Sequence, residues 1–585
     1  MFGSIKNHAR LGQWNGRRRS SRQEEPVLPR LWQRPVMIRF TLVLMTTASV
    51  TLLIFLWGPP LPYRVGEISP NDLRVRVYFE VPNESQTEWK REEAVGETGD
   101  PEAREEIRRA VAPVVERYPP GMPLVQAGQP ISEWQLALLE EEHRTYLRNL
   151  EARDHWRRGA ALFLVMSLLT AVVILYVARF QPGLAQSLPK IGAVCALALI
   201  AVLFVLLLSQ PPWFAVIIPL TLTAMILTIV YNPQFALLMS FSLALATTVA
   251  LNSSLNLLLI LMGGLATAIL GLGNVRTRTR LVQVATEAGL AYLAMTFATG
   301  LHSGQTWRLI FADAGRNFLW GTLSGFLISG CLPLVERIFG VLTDISLLEL
   351  ADGSHPLLQE LIRRAPGTYT HSMTVATLAE AAAEVIAANP LLTRIGSYFH
   401  DVGKMLKPHY FIENQTGENR HETLEPALST LIIIGHVKDG LALAHQYQLP
   451  KPITDFIEQH HGTMLVEYFY QEAIRMQEQE GNGFVELEAT FRYPGPKPQT
   501  RETGIVMLAD SAESASRALS DPAPGSLRKL VHDNLMKRLL DGQFEESGLT
   551  LTELHRIEES LCKSLIALYH TRIRYPEPKP QPIAS

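Results

Sequence analysis

The sequence predicts a multi-domain integral membrane protein with an α-helical transmembrane bundle, a small α+β extracytoplasmic domain and an all-α cytoplasmic domain. Three observations lead to this fold class. Long apolar runs are concentrated in residues 40–335 of the 585-residue chain. A stretch of soluble character, residues 58–158, interrupts them. After Gly340 the pattern is helical, and eight of the 16 histidines lie between His371 and His461.

Charge and cysteine content each exclude some classes of protein. The formal net charge is -3, so the chain has no overall positive field to attract nucleic acid, and we expect no nucleic-acid partner. The three cysteines are scattered, which excludes a disulfide framework and a Cys-rich zinc motif.

The N-terminal region predicts a membrane anchor. Residues 1–39 are basic and polar, and the apolar run 40–57 follows Arg39 without an obvious small-x-small cleavage site. We therefore interpret residues 1–39 as a cytoplasmic N-terminus and residues 40–57 as a retained transmembrane helix, with a cleaved signal peptide as the alternative.

Residues 58–158 have the composition of a small folded domain. Pro-rich turns, a strand-like stretch at residues 75–81 and helical stretches at residues 101–118 and 132–149 predict an α+β domain of about 100 residues.

Residues 159–335 contain seven further apolar runs, each near the roughly 20 residues that cross a bilayer. Short polar connections separate them, which predicts a seven-helix transmembrane bundle. The runs cover residues 159–178, 191–209, 213–231, 235–251, 255–272, 282–300 and 318–335.

The basic residues orient the bundle. Arg276, Arg278 and Arg280 lie in the gap before the sixth run, and the positive-inside tendency places that gap in the cytoplasm with the basic N-terminus. One helix leads out of the cytoplasm and seven lead back in, so by parity residues 58–158 are extracytoplasmic and the histidine-rich third is cytoplasmic. The parity depends on the sixth run, which contains Glu287. That acid is either a functional residue within the membrane or a residue near the cytoplasmic end that reaches water.

The C-terminal third contains candidate metal ligands. After a linker at residues 336–365, residues 366–575 predict a helical bundle with a site in its core, followed by a tail at residues 576–585. Imidazoles and carboxylates are ligands for transition metals. The adjacent side chains of His400 and Asp401 would diverge by about 100° in a regular helix. Both can approach one metal only near a helix end, where Gly403 suits a change of backbone path.

At this point the sequence resembles the HD-domain phosphohydrolases, through His371, the His400-Asp401 pair and Asp510. The surrounding segments resemble the seven-transmembrane HD-domain family and, within it, the PgpH type of cyclic di-AMP phosphodiesterase. The resemblance extends over nearly the whole chain, with one departure where Asn419-Arg420-His421 replaces the usual Asn-Pro-His. The matching segments are residues 128–132, 366–372, 400–404, 411–415, 436–440, 460–463, 492–498 and 508–511.

This resemblance implies a site for two divalent transition-metal ions, manganese or iron. Two such cations about 3.5–4 Å apart can share a bridging hydroxide and clamp a phosphate. Lys404 would neutralise phosphate charge or protonate the leaving oxygen, unless it is a solvated surface lysine; His461 is alternatively a hydrogen-bond partner of a ligand. The implied ligands are His371, His400, Asp401 and Asp510 for one ion, and His436, His460 and His461 for the other, with Asp401 as the bridge.

The resemblance also implies a function. A membrane-bound phosphodiesterase would hydrolyse cyclic di-AMP to pApA, and its extracytoplasmic domain would respond to an unknown ligand. Cyclic di-GMP and guanosine polyphosphates are alternative substrates, although Gly462-Thr463-Met464 replaces the Gly-Tyr-Pro motif usual in the cyclic di-GMP class. A non-catalytic nucleotide receptor and a transporter are alternatives from other classes. Signalling through a homodimer stays open because no heptad pattern decides it.

Overall fold

The computed structural model describes residues 34–96, 101–273, 275–415, 417, 419–480, 488–520 and 522–570. Most of the predicted N-terminus (residues 1–33) and the predicted tail at residues 576–585 lie outside the described residues. The chain divides into two compact units. The first unit is Met1–Gly271 with Val284–Ile328, and the second unit is Leu272–Gln283 with Ser329–Ser585.

The described part of the chain is mostly helical, and its first unit begins with α1 (Arg34–Trp57), the predicted anchor. A small α+β segment follows: β1 (Leu73–Arg74), β2 (Phe79–Pro82), α2 (Glu84–Val95), α3 (Pro101–Ala110), β3 (Val115–Tyr118), β4 (Pro123–Val125) and α4 (Glu133–Arg148). Strand β1 pairs antiparallel with β4, and β2 pairs antiparallel with β3. Phe79 stacks on Tyr118 within the core of this segment.

Two boundaries in this segment differ from the sequence prediction. The expected helix at residues 101–118 ends at Ala110, and Val115–Tyr118 is strand β3. Pro113 explains the difference, because proline disfavours helical geometry at the residue before it and lacks an N–H for the helix ladder. Only residues 79–81 of the strand expected at residues 75–81 form a strand, as part of β2, and β1 ends before it at Arg74. The helix expected at residues 132–149 is α4, which Ser132 caps through a capping box with Gln135.

The apolar helices of the chain follow this segment, and each of the seven predicted runs falls on one of them. The run predicted at residues 213–231 forms the short helix α8 (Ile217–Val230), which has 14 residues and is about 21 Å long. The positive φ of Phe214 (42°) keeps the start of that run out of the helix. The helices are α5 (Ala152–Phe180), α6 (Pro182–Ala185), α7 (Leu188–Leu208), α8 (Ile217–Val230), α9 (Pro233–Ala250), α10 (Leu255–Gly271), α11 (Arg278–His302) and α12 (Trp307–Phe339).

Among the described residues, seven helices are long and apolar enough to cross a membrane. Six of them are α1, α5, α7, α9, α11 and α12, and two shorter apolar helices are α8 and α10. The seventh, Pro426–Gln446, belongs to the second unit and buries polar residues such as Ser429, Thr430 and His436, so we do not assign it to the membrane.

The second unit consists of helices and short 3₁₀ turns around two apolar cores. The helices are α13 (Asp344–Leu350), α14 (Pro356–Arg364), α15 (Pro366–Val385), α16 (Pro390–Phe399), α17 (Pro426–Gln446), α18 (Lys451–Gln459), α19 (Glu467–Glu480), α20 (Arg501–Arg517), α21 (Pro524–Leu540) and α22 (Leu551–His570). One core is formed by α15, α20, α21 and α22. The other core is formed by α13, α14, α16, α17 and α18 with a 3₁₀ turn at Val402–Leu406.

Candidate metal centre

Two pairs of candidate ligands lie where helices end. Helix α16 ends at Phe399, His400 is its C-cap, and Asp401 precedes the 3₁₀ turn at Val402–Leu406. Helix α18 ends at Gln459 in the same way, and His460 is its C-cap. The change of backbone path that adjacent ligands require is therefore present at His400-Asp401, as the sequence predicted.

The other candidate ligands lie within helices. His371 is in the second turn of α15, His436 is in the middle of α17, and Asp510 is in the middle of α20. Each is buried on the side of its helix that faces the core. Five separated segments thus contribute side chains to one place in the second unit.

The structure brings all seven predicted ligands together in two groups that share Asp401. Within each group the candidate ligand atoms lie within 4.8 Å of one another. One carboxylate oxygen of Asp401 faces each group. Oδ1 lies 3.3 Å from Nε2 of His436 and 3.6 Å from Nε2 of His460. Oδ2 lies 3.5 Å from Nε2 of His371 and 3.3 Å from Nε2 of His400.

The donor atoms fit divalent cations. Nε2 of His371, Nε2 of His400 and Nδ1 of His461 are buried and form no hydrogen bond among the described residues, although carboxylate oxygens lie 3.0–3.9 Å away. Buried polar atoms normally have partners. Converging imidazole and carboxylate atoms, three of them without a hydrogen bond, are what an ion of the manganese, iron or zinc type needs.

The histidines divide by charge state. Burial disfavours a charge on His371, but the carboxylates of Asp510 and Glu513 outweigh burial and raise its pKa to about 10. Burial lowers the pKa of His436 to about 3. Burial and the neighbouring His460 hold the pKa of His461 well below its usual value. His436 and His461 are therefore neutral and ready to donate a lone pair at neutral pH.

The carboxylates are ionised despite their burial. Burial raises the pKa of Asp401, but the opposing effect of Lys404 and the imidazoles is larger. The pKa of Asp401 therefore lies well below its usual value. Burial likewise opposes ionisation of Asp510, and the neighbouring imidazole of His371 outweighs burial and lowers the pKa of Asp510. Both side chains thus present negative oxygens to the centre, which favours cation binding.

Lys404 lies inside the centre. Its Nζ is 2.6 Å from Oδ2 of Asp401 and 3.2 Å from Oε1 of Glu413, and its side chain is 13% exposed. The interpretation of Lys404 as a solvated surface lysine is therefore wrong. Burial alone would lower its pKa, but the carboxylates, Asp401 first, raise the pKa above its usual value and keep the ammonium charged.

Two carboxylates that the sequence did not predict support the centre. Glu413 accepts a hydrogen bond from the hydroxyl of Thr368 and pairs with Lys404. Glu413 had been noticed only as part of a matching segment. Glu513 contacts His371. Glu513 follows Asp510 by three residues on the same helix, and this spacing was a signal that it lies on the same buried face as the ligand.

Other histidines and basic residues do not join the centre. His409 and His445 are exposed. His421 packs between Tyr410 and Phe469, and its Nε2 lies 2.8 Å from the carbonyl oxygen of Tyr410. Lys497 pairs with Glu545 at the surface.

Comparison with known families gives two matches. Residues 156–343 match the family described as "7TM receptor with intracellular HD hydrolase", and residues 368–515 match the HD domain. The predicted resemblance is confirmed over both segments.

Two curated relatives are similar to the chain over most of its length. It is 36% identical over 435 residues to the cyclic-di-AMP phosphodiesterase PgpH of Bacillus subtilis (strain 168), an alignment that covers 72% of this chain and 60% of that protein. It is 34% identical over 493 residues to PgpH of Listeria monocytogenes serotype 1/2a (strain 10403S), covering 81% and 66%. The chain thus spans less than two thirds of the length of either relative.

One solved structure is also similar in sequence to part of the chain. The crystal structure of the L. monocytogenes PgpH HD domain in complex with cyclic-di-AMP is 45% identical, and the match covers 38% of this chain and 100% of that chain with a TM-score of 0.35.

Proposed function

Since this chain belongs to the seven-transmembrane HD family, we propose that it is a multi-pass membrane phosphodiesterase that hydrolyses cyclic di-AMP to the linear dinucleotide pApA with the help of two divalent metal ions. One observation carries the proposal. The carboxylate of Asp401 presents one oxygen to each of two ligand groups, as a bridge between two cations would. The proposed substrate is inferred from the relatives, which are named as cyclic-di-AMP phosphodiesterases.

The ligand set fits phosphoester hydrolysis. Divalent ions held there would clamp the scissile phosphate and supply a water nucleophile of lowered pKa. The residues of the chain hold the geometry: the imidazoles of His436 and His461 are neutral donors, and Asp401 and Asp510 balance positive charge. We propose manganese or iron because imidazole with carboxylate suits these metals.

Lys404 is proposed as a catalytic residue. Its ammonium lies beside Asp401, at the junction of the two ligand groups, and is largely shielded from water. A charged donor in this place would neutralise a phosphate oxygen or protonate the leaving alkoxide. Glu413 holds the ammonium from the other side.

Regulation by residues 58–158, proposed to be extracytoplasmic, is supported by their bonds to the apolar helices. Arg64 forms a bidentate ion pair with Asp313 near the start of α12, at 3.2 and 2.8 Å. The side chain of Gln305 pairs with both backbone groups of Ile68 at 2.9 Å. A movement of this segment, caused by an unknown ligand, would therefore act directly on α12.

The end of α12 is also tied to the helices that follow it. Glu336 accepts hydrogen bonds from Thr343 and Ser346 at the start of α13. Leu347 of α13 packs in the same core as Phe399, the residue before His400. We propose that this core transmits movements of α12 to the metal centre.

The orientation is part of the proposal. Arg276, Arg278 and Arg280 and the basic N-terminus favour a cytoplasmic location for the HD domain in the cell membrane, where a nucleotide messenger is made and consumed. A homodimer is compatible with this arrangement.

A nucleotide panel on the full chain in lipid nanodiscs tests the proposal. With Mn²⁺ we expect hydrolysis of cyclic di-AMP to pApA, no comparable hydrolysis of cyclic di-GMP or guanosine tetraphosphate, and no detectable activity after Asp401→Asn. The control is His409→Ala, an exposed histidine eight residues further along the chain.

The outcomes separate the parts of the proposal. Preference for another nucleotide would overturn the substrate. Activity that survives Asp401→Asn would overturn the site. A protein that holds less than one metal ion and hydrolyses nothing in the panel would instead be a nucleotide receptor.

A further inference from the structure

The histidines of the centre differ in the group that contacts the ring nitrogen pointing away from the centre. Three of them place Nδ1 against the carbonyl oxygen of a residue three or four positions earlier, which leaves Nε2 toward the centre. The pairs are His400 with Ser397 at 2.7 Å, His436 with Ile433 at 2.6 Å, and His460 with Phe456 at 2.9 Å. In all three cases the partner of Nδ1 is a neutral backbone group.

His371 is held differently. Its Nδ1 lies 2.6 Å from Oε2 of Glu513, a carboxylate that is 3% exposed. Nε2 of the same ring lies 3.0 Å from Oδ1 of Asp510. Asp510 and Glu513 are one helical turn apart on α20, so a single helix contacts both nitrogens of the ring.

Arg517 fixes the carboxylate behind His371. It lies one turn after Glu513 on α20, and its Nε donates a hydrogen bond of 2.6 Å to Oε1 of Glu513, while its Nη2 contacts the same oxygen. A buried carboxylate is costly unless it is paired. Arg517 supplies the opposite charge and leaves Oε2 for the imidazole.

We infer that Glu513, oriented by Arg517, is a positioning residue that makes the two metal sites unequal. An anionic acceptor keeps the proton of His371 on Nδ1, directs the lone pair of Nε2 into the centre and increases the electron donation of the ring. The group of His371, His400, Asp401 and Asp510 therefore depends on Glu513 for its affinity, and the group of Asp401, His436, His460 and His461 does not. The inference rests on the proposed metal site.

Manganese titration of the metal-free full chain in nanodiscs, with free Mn²⁺ read by electron paramagnetic resonance, tests this inference. We expect two ions per chain with different affinities. Glu513→Leu should weaken one of the two ions by about 10–100-fold, the usual effect of losing a partner behind a ligand, and change the other by less than about threefold.

Two further variants separate charge from packing. Glu513→Gln retains an oxygen that accepts a hydrogen bond from Nδ1 but removes the negative charge. Its affinity for the weakened ion should therefore lie between those of wild type and Glu513→Leu. It also keeps the volume of the side chain, which preserves the fold if the leucine variant is unstable. Glu384→Gln, at an exposed position on α15, the helix of His371, is the matched control and should bind as wild type does.

The results distinguish this inference from the proposed function. Wild-type protein that binds less than one ion per chain overturns the metal site itself. Wild-type protein that binds two ions, with both Glu513 variants unchanged, overturns only the positioning role. Equal weakening of both ions overturns the assigned asymmetry.

Discussion

Nζ of Lys404 lies 2.6 Å from Oδ2 of Asp401, the oxygen that also faces His371 and His400. The lysine is three residues after the aspartate, and the 3₁₀ turn at Val402–Leu406 folds it back over the centre. A permanent positive charge is thereby placed beside the carboxylate that joins the two ligand groups.

The position of Lys404 predicts a loss of rate with retention of metal. Lys404→Met removes a buried ammonium that would neutralise or protonate the reacting phosphate, and we expect kcat to fall by about 10²–10⁴-fold. Metal content should not decrease, because no ligand is removed. Steady-state kinetics with metal analysis on the same sample measure both. Lys407→Met is the control, since Lys407 is half-exposed and pairs with Asp439; a wild-type kcat in Lys404→Met would remove Lys404 from the mechanism.

Metal affinity should increase with pH. The raised pKa of His371, about 10, means that before metal binds this ring is protonated across the neutral range. A ligand must be deprotonated, so each ion that enters its group displaces this proton, and affinity rises as pH increases from about 6 to 8. Calorimetric titration of Mn²⁺ in two buffers of different ionisation enthalpy measures the protons released. Identical heats in both buffers would contradict the prediction.

Gly403 should tolerate no side chain. A Cβ at Gly403 would overlap the carbonyl oxygen of His436 and approach N of Gly440 at 2.5 Å. Gly403→Ala must push the 3₁₀ turn away from α17, at a cost of about 1–3 kcal/mol in unfolding free energy, and displace Asp401 with it. Chemical denaturation of the full chain and metal content measure the two effects.

Gly435→Ala is the matched control for that substitution. Gly435 is adjacent to His436 on α17, and a Cβ there meets no atom of the described residues within 4 Å. Alanine should leave the free energy of unfolding unchanged or raise it slightly, because it suits a helix better. Equal destabilisation by both alanines would refute the packing argument.

The ion pair of Arg64 and Asp313 should restrain the segment that contains Arg64. Asp313 also accepts from Arg316, and both guanidinium groups lie over the ring of Phe214, at 5.3 and 5.1 Å. Asp313→Asn leaves two neighbouring cations without a shared anion. We expect faster hydrogen exchange around Arg64 than in wild type, measured by mass spectrometry in nanodiscs.

Glu105→Gln provides the comparison for the Asp313 variant, because Glu105 forms an exposed pair with Arg109. Exposed pairs contribute little, so exchange around Arg64 should stay at the wild-type rate. Exchange that is unchanged in Asp313→Asn as well would show that the pair does not hold the segment.

Local patterns in the sequence were sufficient for much of this protein. The apolar runs are set by composition over about 20 residues, so each one predicted an apolar helix correctly, although the helix bounds differ by several residues. The pair His400-Asp401 was expected at a helix end and is there. The family was recognisable because its matching segments are each only a few consecutive residues long.

Short-range patterns failed where competing local preferences were close. The stretch at residues 101–118 has helical composition throughout, but Pro113 ends the helix, and pairing with β2 makes Val115–Tyr118 a strand. Gly403 was expected to serve backbone conformation, yet its φ is not positive, and its role is to let α17 approach closely. Close approach between segments is not encoded in the residues around the glycine.

The sequence by itself determined the apolar helices and the helical second unit, because those properties depend on neighbours along the chain. Its resemblance to a known family implied the seven candidate ligands. Only the tertiary structure decided that one oxygen of Asp401 faces each group, that Lys404 is buried between Asp401 and Glu413, and that Glu513 lies behind His371. His371 and Glu513 are 142 residues apart, and their contact exists because α15 and α20 pack in the same apolar core. Helical periodicity identifies which face of a helix is buried, but the packing of the core selects the residue on the partner helix that meets it.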